Sequence, residues 1–523
     1  MKCYDSTIPY KKREEQMSFG VLAGIVLVVG LILLVGLISG RRVKDSSDFL
    51  SGGGKAGTFL VAGAIMGSLV GSQATMGTAQ LSFQFGVSGW WFTLGCFFGC
   101  LGLGLLYSHR LRQSGCITEL AIITGEYGAA SGGLSSVLCS VGIFISVFSQ
   151  VIACAGLLST LFPGTPLWGG ALLSALLMGL YVIFGGAWGA GMGGIVKLLL
   201  LCGVSLLGLC VILYWSHGPR GLWNELEGAL AGTSLGMIRQ EASGIPNVTD
   251  TAVLRSQFLS LIARGAAKDL SSGFSLLLGV LCTQTYAQAI WSGRSDRAAR
   301  HGALISGLAA PFIGLCGVVI GLFMRSHYIL RAEAEALTAA GKALPDMLIL
   351  ESTIRAMPAF ALDYFPPLVA GVILGTLLIT SVSGGAGLSL GMATILTRDI
   401  LKHLSHRWDD PQKELRAVRV CIGGILLAAV AVTVSLPDSL INDFGFLSMG
   451  FRACVLFLPL TAALWLPGRL DGRFVLLSMI LSPLADILAK VFSLPGDPLL
   501  YGMAVSLLLC TAALLAGNKK RAE

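Results

Sequence analysis

The sequence predicts an all-α polytopic membrane protein with about thirteen transmembrane helices. Two observations predict this class. Hydrophobic residues make up 54% of the 523 residues and charged residues only 12%, roughly half the charged fraction of an ordinary soluble domain. The hydrophobic residues are gathered in runs of about 20 residues, the length that a helix needs to cross a bilayer.

The predicted spans are runs of mainly apolar residues separated by charged or turn-forming segments. The first run is too long for the core of a signal peptide, so we interpret it as a helix. The fourth and ninth runs are longer than one crossing needs, so we expect tilt, a break or an extramembrane turn in each. The spans are 18–40, 57–82, 88–108, 131–162, 165–190, 195–216, 270–292, 302–325, 366–397, 417–436, 440–466, 473–493 and 498–516.

Lys and Arg indicate the orientation of these spans. They are concentrated in alternate short connections, such as those that hold Arg110 and Arg294. Cytoplasmic loops carry the excess of Lys and Arg. We therefore expect a plasma (cell inner) membrane protein with its N-terminus outside and its C-terminus inside. The loop at 216–267 would face outside, and it contains Asn247-Val248-Thr249, a glycosylation acceptor sequence.

Several function classes are excluded by missing signals. Most of the 13 cysteines lie in apolar runs, where Cys acts as a small hydrophobe, and the six histidines do not cluster, so no metal site is predicted. There is no nucleophile–base pattern, so the protein is not expected to be an enzyme. No P-loop sequence is present for ATP. The net charge of +8 is spread over the loops, so no nucleic-acid partner is expected.

Two spans carry glycine-rich polar patches. The ninth span reads TSVSGGAGLSLG over residues 380–391. The interior of the second span is interrupted by glycines and polar residues, namely Gly63, Gly67, Gly71, Gly77, Ser68, Ser72, Gln73, Thr75 and Thr78. Interrupted helices at ligand sites have this composition, because freed carbonyls can coordinate a cation. Two alternatives remain open: close helix packing through small residues in the second span, and hydroxyls bonded to their own helix in the ninth.

Several short motifs follow one another along the chain. They are Gly77 to Gly89, Thr118-Glu119 with Gly125 to Gly128, Tyr181 with Gly185-Gly186 and Trp188, Gln284 and Gln288 with Arg297 to Arg300, and Ser383 to Asp399. In this order they resemble the sodium:solute symporter family, which has the LeuT-type fold, from about Asp48 to the last span.

The resemblance implies a core of two inverted five-helix repeats, with the solute bound between them and alternating access to the two sides. It divides the chain into an extracellular tail, a peripheral helix, a first repeat, an extracellular loop, a second repeat containing the loop 326–365, two peripheral C-terminal helices and a cytoplasmic tail. The corresponding residues are 1–17, 18–40, 57–216, 217–269, 270–466, 473–516 and 517–523.

The resemblance also places a sodium site between the second and ninth spans. Its ligands would be the carbonyls of Gly67, Val70 and Thr380 and the hydroxyl of Ser383. Gly384 stands where the family usually has a second hydroxyl. Sodium is the expected coupling ion, and no other cofactor is expected.

Further departures from the family pattern weaken that expectation. Many members carry Thr-Asp and then Gln where this chain has Gly193, Gly194 and Lys197, so an acidic group is missing and a cation is added nearby. Ala289 stands where the family usually has Arg. A hard cation needs several oxygen ligands, so a sodium-independent carrier is the alternative.

Solute-binding positions follow from the same resemblance. The polar ligands of the family's sugar carriers fall on Ala74, Leu276, Gly279 and Val280, and such an apolar lining would leave sugar hydroxyls unsatisfied. A sugar is therefore not expected. The substrate-binding candidates are Gln73, Ala74, Thr75, Gln150, Leu276, Val280 and Arg452.

Arg452 is the ionisable residue of greatest interest, because it lies near the middle of the eleventh span, where charges are rare and often functional. One interpretation is that it binds an anionic solute or supplies the charge that sodium usually provides. The alternative is a packing residue paired with a carbonyl or with Asp443.

Together these observations predict a secondary active transporter, a symporter that moves a small organic solute and is driven by the sodium gradient. The alternatives are the sodium-independent carrier, with Arg452 supplying the charge, and a membrane sensor that does not transport. The expected partners are a small-molecule substrate and membrane lipids.

Overall fold

The computed structural model describes residues 18–40, 54–162, 164–231, 251–342, 344–402, 410–435 and 440–522. In these ranges, ten helices are long and apolar enough to cross a membrane, and two shorter apolar helices accompany them. The predicted N-terminal tail 1–17, the acceptor sequence Asn247-Val248-Thr249 and the side chains of 183–190 lie outside the described residues.

The first half of the chain contains the predicted peripheral helix and the predicted first repeat. Each predicted span in this half corresponds to one helix, to part of one, or to helices that follow one another directly. The elements are α1 (Phe19–Gly40), α2 (Thr58–Leu69), a π-helical turn (Gln73–Gly77), α3 (Thr78–Phe85), α4 (Trp91–Gly102), α5 (Ser108–Gln113), α6 (Glu119–Tyr127), α7 (Ala129–Leu161) and α8 (Leu167–Trp215).

Helix α8 covers two predicted spans. Its 49 residues would extend about 74 Å if straight, more than twice the thickness of the hydrocarbon core. The Tyr181 hydroxyl lies against the position that a Cβ on Gly193 would take, although twelve residues of straight helix are about 18 Å long. Helix α8 is therefore not straight between Tyr181 and Gly193, as expected if it contains two predicted spans.

The second half contains the two predicted long loops, the predicted second repeat and the two C-terminal helices. The short strands β1 and β2 pair in parallel, with Tyr328 opposite Leu348. The elements are α9 (Pro219–Leu230), α10 (Thr251–Phe258), α11 (Ala266–Leu281), α12 (Gln284–Ser292), α13 (Asp296–His327), β1 (Tyr328–Leu330), α14 (Arg331–Ala339), β2 (Leu348–Leu350), α15 (Ala356–Tyr364), α16 (Pro367–Ile395), α17 (Pro411–Ser435), α18 (Ile441–Trp465), α19 (Gly472–Val491) and α20 (Pro498–Ala522).

The first helix of each repeat is interrupted. In the first repeat, α2 ends at Leu69 and the chain resumes a helical path at Gln73. In the second repeat, α11 ends at Leu281 and α12 begins at Gln284. The first interruption lies where the glycine-rich patch predicts one. The second was not predicted, because no Gly or Pro marks Cys282 and Thr283.

The break expected in the ninth span is not present at its glycine-rich patch, because α16 continues from Pro367 to Ile395. The hydroxyls of this patch bond to their own helix: Thr380 Oγ1 donates to the Thr376 carbonyl at 2.6 Å. Ser381 Oγ donates to the Leu377 carbonyl at 3.2 Å. Each hydroxyl thereby completes its hydrogen bonding without breaking the ladder, and the glycines let neighbouring helices approach.

Small residues allow α8 and α2 to pack in close contact. A Cβ on Gly194 would overlap the carbonyl oxygen of Gly63, and a Cβ on Gly63 would overlap the carbonyl oxygen of Gly191. Membrane helices pack this closely only through small residues. This contact lies one turn before Gly67 on α2 and one turn before Lys197 on α8, so it fixes the distance between those two residues.

We expect Gly194→Ala to lower the thermal stability of the purified protein, because the added methyl group must push α8 away from α2. Overpacking of this kind typically costs about 1–3 kcal/mol. The matched control is Gly203→Ala on the same helix, where an added Cβ would meet nothing within 4 Å. Equal unfolding temperatures for the two variants would show that the α2–α8 contact is not as close as described.

Candidate functional site

The interruption between α2 and α3 meets a polar side chain of α7. The Gln150 side-chain oxygen accepts hydrogen bonds from the backbone N–H of Ser72 at 2.9 Å and from its hydroxyl at 2.6 Å. Both residues are buried. Because a break in a helix leaves backbone groups without helical partners, a side chain on another helix must satisfy them, and Gln150 does so here.

A second amide ties the same interruption to α18. Gln73 Nε2 donates to the Ser149 hydroxyl at 3.2 Å, and that hydroxyl donates to the Ile441 carbonyl at 3.2 Å. Gly445 lies directly beside the Gln73 amide. These hydrogen bonds form one cluster, which we call the junction and which consists of Ser72, Gln73, Ser149, Gln150 and Ile441. It contains two of the predicted substrate-binding residues, Gln73 and Gln150.

The other predicted solute positions are placed differently. Ala74 is fully buried in the π-helical turn. The Thr75 hydroxyl bonds to the Gly71 carbonyl of its own segment at 3.3 Å. Leu276 and Val280 pack against glycines of α4, so their contacts belong to the α11–α4 interface. Of these four side chains, only Thr75 is bonded to the junction, through a hydrogen bond from its hydroxyl to the Ser72 carbonyl at 3.4 Å.

Three of the four predicted sodium ligands, Gly67, Thr380 and Ser383, come together, but around a lysine. Lys197 Nζ donates to the Gly67 carbonyl at 2.8 Å and to the Ser383 hydroxyl at 2.9 Å. That hydroxyl donates in turn to the Thr380 carbonyl at 3.3 Å. Val70 caps the end of α2 with its N–H on Met66. The sequence identifies Lys197 as an added cation, but its contact with both ligands could not be predicted without the fold.

Arg452 is buried within hydrogen-bonding groups of the protein. Its Nε donates to the Ser448 carbonyl at 3.0 Å, and its Nη1 donates to the Thr283 hydroxyl at 2.8 Å. Its Nη2 donates to the Ser448 hydroxyl at 2.9 Å and lies 3.5 Å from the Ser146 hydroxyl. Among the described residues it forms no ion pair, with Asp443 or with any other carboxylate.

These contacts correct one alternative. The cation beside the predicted sodium ligands is Lys197 and not Arg452, so Arg452 does not supply the charge at that position. Arg452 instead joins the interruption between α11 and α12 to α7 and α18 through Thr283 and Ser146. Its contacts agree with the interpretation of a packing residue paired with a carbonyl.

Glu119 lies near Arg452 at the start of α6, a short helix between the spans. Gln284 holds this end of α6 by accepting from the Glu119 N–H at 3.0 Å and donating to the Ile117 carbonyl at 3.0 Å. Burial raises the pKa of the Glu119 carboxyl well above its usual range, and the Arg452 guanidinium partly opposes that rise. Glu119 is therefore a buried acid that lies beside the interruption between α11 and α12.

The sequence analysis did not identify one polar residue that lies beside the junction. Asn442 is fully buried at the start of α18, and neither atom of its amide has a hydrogen-bond partner among the described residues. Its Oδ1 lies against Gly77 at the end of the π-helical turn. A buried amide without partners is costly, so this amide needs a hydrogen-bonding group from outside the described residues. The only sequence signal was an amide at the start of a span.

Comparison with known proteins decides the class. The model of the sodium:solute symporter family matches residues 49–480. The chain belongs to the sodium:solute symporter family. It is a secondary active symporter, with a LeuT-type core of two inverted five-helix repeats, and its family is one of transporters and not of enzymes.

Two solved structures share the fold of this symporter. One is a substrate-bound, outward-open Na⁺-coupled sialic acid symporter, with a TM-score of 0.68 and 16% identity over 96% of this chain and 98% of that chain. The other is a nucleobase-cation-symport-1 family transporter in a closed conformation with bromovinylhydantoin bound. Its TM-score is 0.54, with 11% identity over 92% of this chain and 96% of that chain. At these identities the likeness concerns the fold.

The Arg452–Thr283 contact can be measured by a double-mutant cycle. We expect Thr283→Val to destabilise the protein by about 1.5–3 kcal/mol, because it removes an acceptor from a buried charged donor. In an Arg452→Met background the same change should cost less, by about 0.5 kcal/mol or more. Thermal unfolding in detergent supplies the measurement.

The matched control is Thr433→Val on α17, where the hydroxyl bonds, among the described residues, only to the Ala429 carbonyl of its own helix. Its effect should be the same in both backgrounds. If Thr283→Val also has equal effects in both backgrounds, Arg452 and Thr283 do not interact energetically.

Proposed function

We propose that this symporter binds a small organic solute at the junction, between the interruption of α2 and α3 and the facing residues of α7 and α18. The observation that supports this most is the Asn442 amide, which is buried and has no partner among the described residues. An amide in that state needs an external hydrogen-bonding group. Gln73 and Gln150 lie in the same cluster.

The chemistry of the junction limits the solute. Its side chains are amides and hydroxyls, each able to donate and to accept hydrogen bonds. Most of these groups already bond to each other, and Asn442 is the free member within the described part of the chain. This arrangement suits a compact solute with one donor and one acceptor group, and it does not suit a sugar, whose many hydroxyls would lack partners.

Two candidates remain for the driving force. The family and the Na⁺-coupled structural neighbour support sodium as the coupling ion. The contacts of Lys197 with Gly67 and Ser383 favour a carrier that needs no sodium at that position. Both candidates move the solute through the same junction by alternating access.

Solute binding is tested with amino acids, carboxylates and nucleosides, first by thermal shift and then by uptake of the binders into proteoliposomes. We expect Asn442→Ala to weaken solute affinity about tenfold or more, equivalent to about 1.4 kcal/mol. Its unfolding temperature without solute should not fall, because Asn442 has no protein partner among the described residues.

The matched control is Asn224→Ala on the exposed face of α9, which should change neither quantity. Undiminished solute affinity in Asn442→Ala would contradict a binding position at the junction.

We also propose that the protein lies in the plasma (cell inner) membrane, with the loop at 216–267 outside. The Lys and Arg bias of the short connections supports this orientation. During translation into microsomes, Asn247 should be glycosylated, which slows migration until a glycosidase removes the sugar; Asn247→Gln is the control. Cleavage of this loop by a protease added on the cytosolic side would contradict the orientation.

A further inference from the structure

The end of α2 presents a negative pole to the interior of the protein. The last carbonyls of a helix have no helical partners, and their aligned dipoles are equivalent to about half a negative charge. Because α2 stops at Leu69, the Gly67 carbonyl belongs to this group. No acidic or basic residue lies in the first or last turn of α2, so a positive group must come from elsewhere.

That positive group is the ammonium of Lys197. It lies 2.8 Å from the Gly67 carbonyl oxygen and 2.9 Å from the Ser383 hydroxyl, and the side chain is 1% exposed. Lys197 forms no ion pair within the part of the chain that the structure describes. The polar groups that face its nitrogen are therefore the Gly67 carbonyl at the end of α2 and the Ser383 hydroxyl.

The position of the ammonium is built by the fold. Gly63 and Gly194 hold α2 and α8 in contact one turn away, so the stem of Lys197 extends along α2 and ends at Gly67. Ser383 lies on α16, which approaches from the other repeat. A long flexible side chain held by two helices in this way is ordered, and it is not a surface charge that happens to be near.

A sodium ion does not fit beside this ammonium. Both cations would use the Gly67 carbonyl and the Ser383 hydroxyl, and two unit charges 4 Å apart repel by about 4 kcal/mol at an effective dielectric constant of 20. Gly384 also supplies no hydroxyl, although a hard cation requires several oxygen ligands at once. An ammonium needs fewer partners, because it has only three donors.

We propose that Lys197 is a tethered cation that takes the place of the coupling ion between α2 and α16, so that solute transport requires no sodium there. This inference rests on the proposed function. It assigns Lys197 the role of a residue that determines cation specificity, and it explains together the added lysine, the lost hydroxyl at position 384 and the absence of an acid at Gly193 and Gly194.

The experiment has two independent arms. In the first, the unfolding temperature of the purified protein is measured in sodium chloride and in choline chloride at equal ionic strength, with no solute. In the second, solute uptake into proteoliposomes is measured in the same two salts. The first arm tests Lys197 even if no solute of the panel is transported, which would count against the proposed function alone.

The wild type should unfold at the same temperature in both salts and transport at rates within about twofold of each other. Lys197→Ala should lose about tenfold or more of its uptake in choline, the loss expected for a hydrogen bond to a charged group. Sodium should then restore uptake and raise the unfolding temperature, because the two oxygens become free to bind it.

Two further variants sharpen this result. In the Lys197→Ala background, Gly384→Ser should strengthen the response to sodium by adding a hydroxyl, and Ser383→Ala should remove it. Lys413→Ala on the exposed surface of α17 is the matched control and should resemble the wild type in both salts.

The wild-type protein alone can overturn the proposal. A saturable rise in its unfolding temperature that is specific to sodium, or uptake stimulated about tenfold by sodium, would show that the ion binds while Lys197 is present. Wild-type uptake by Lys197→Ala in choline would overturn it as well. The salt comparison on the wild type keeps the test decisive even if Lys197→Ala does not fold.

Discussion

The structure depends on one constraint: a helix that ends inside a membrane protein leaves carbonyl groups without partners in a medium where water cannot satisfy them. Helix α2 ends at Leu69. The Lys197 ammonium binds the Gly67 carbonyl and the Gln150 amide binds the Ser72 N–H, so both backbone groups beside the break have partners. The rest of the core follows from this requirement. Small residues bring α8 against α2, and α7 and α16 supply Gln150 and Ser383 from two other directions.

The break in the second repeat also has a buried cation beside it, at the position equivalent to that of Lys197 in the first repeat. Lys197 lies on the fifth helix of the first repeat and bonds to the first helix of that repeat and to the third helix of the other, α16. Arg452 lies on the fifth helix of the second repeat. It bonds to Thr283 at the interruption between α11 and α12 and reaches Ser146 on α7, the third helix of the first repeat. Each break therefore has one buried cation that joins both repeats, although the two side chains differ.

The sequence predicted the parts of this arrangement that composition and local pattern determine. The sequence predicted the thirteen apolar runs and the break after Gly67. The family resemblance predicted that Gly67 and Ser383 lie at the same site. The break at Thr283 was not, because no glycine or proline marks it, and the glycines of α16 misled because they serve close packing and not an interruption. Contacts such as Lys197 with Gly67, or the isolation of the Asn442 amide, depend on distances between residues far apart in sequence. No pattern of neighbouring residues contains those distances.

A tethered cation changes what a gradient can do. A sodium ion enters from one side and leaves on the other, so its gradient biases every step in which it binds or dissociates. The Lys197 ammonium cannot leave, and any rocking of one bundle against the other that separates α2 from α16 must break its contact with Gly67 or with Ser383. That energy can shift the populations of the two orientations, but it cancels over a complete transport cycle, because Lys197 returns to the same contacts. Under the proposed role of Lys197, this position contributes no net direction, and direction must come from the solute gradient or from a cation bound elsewhere.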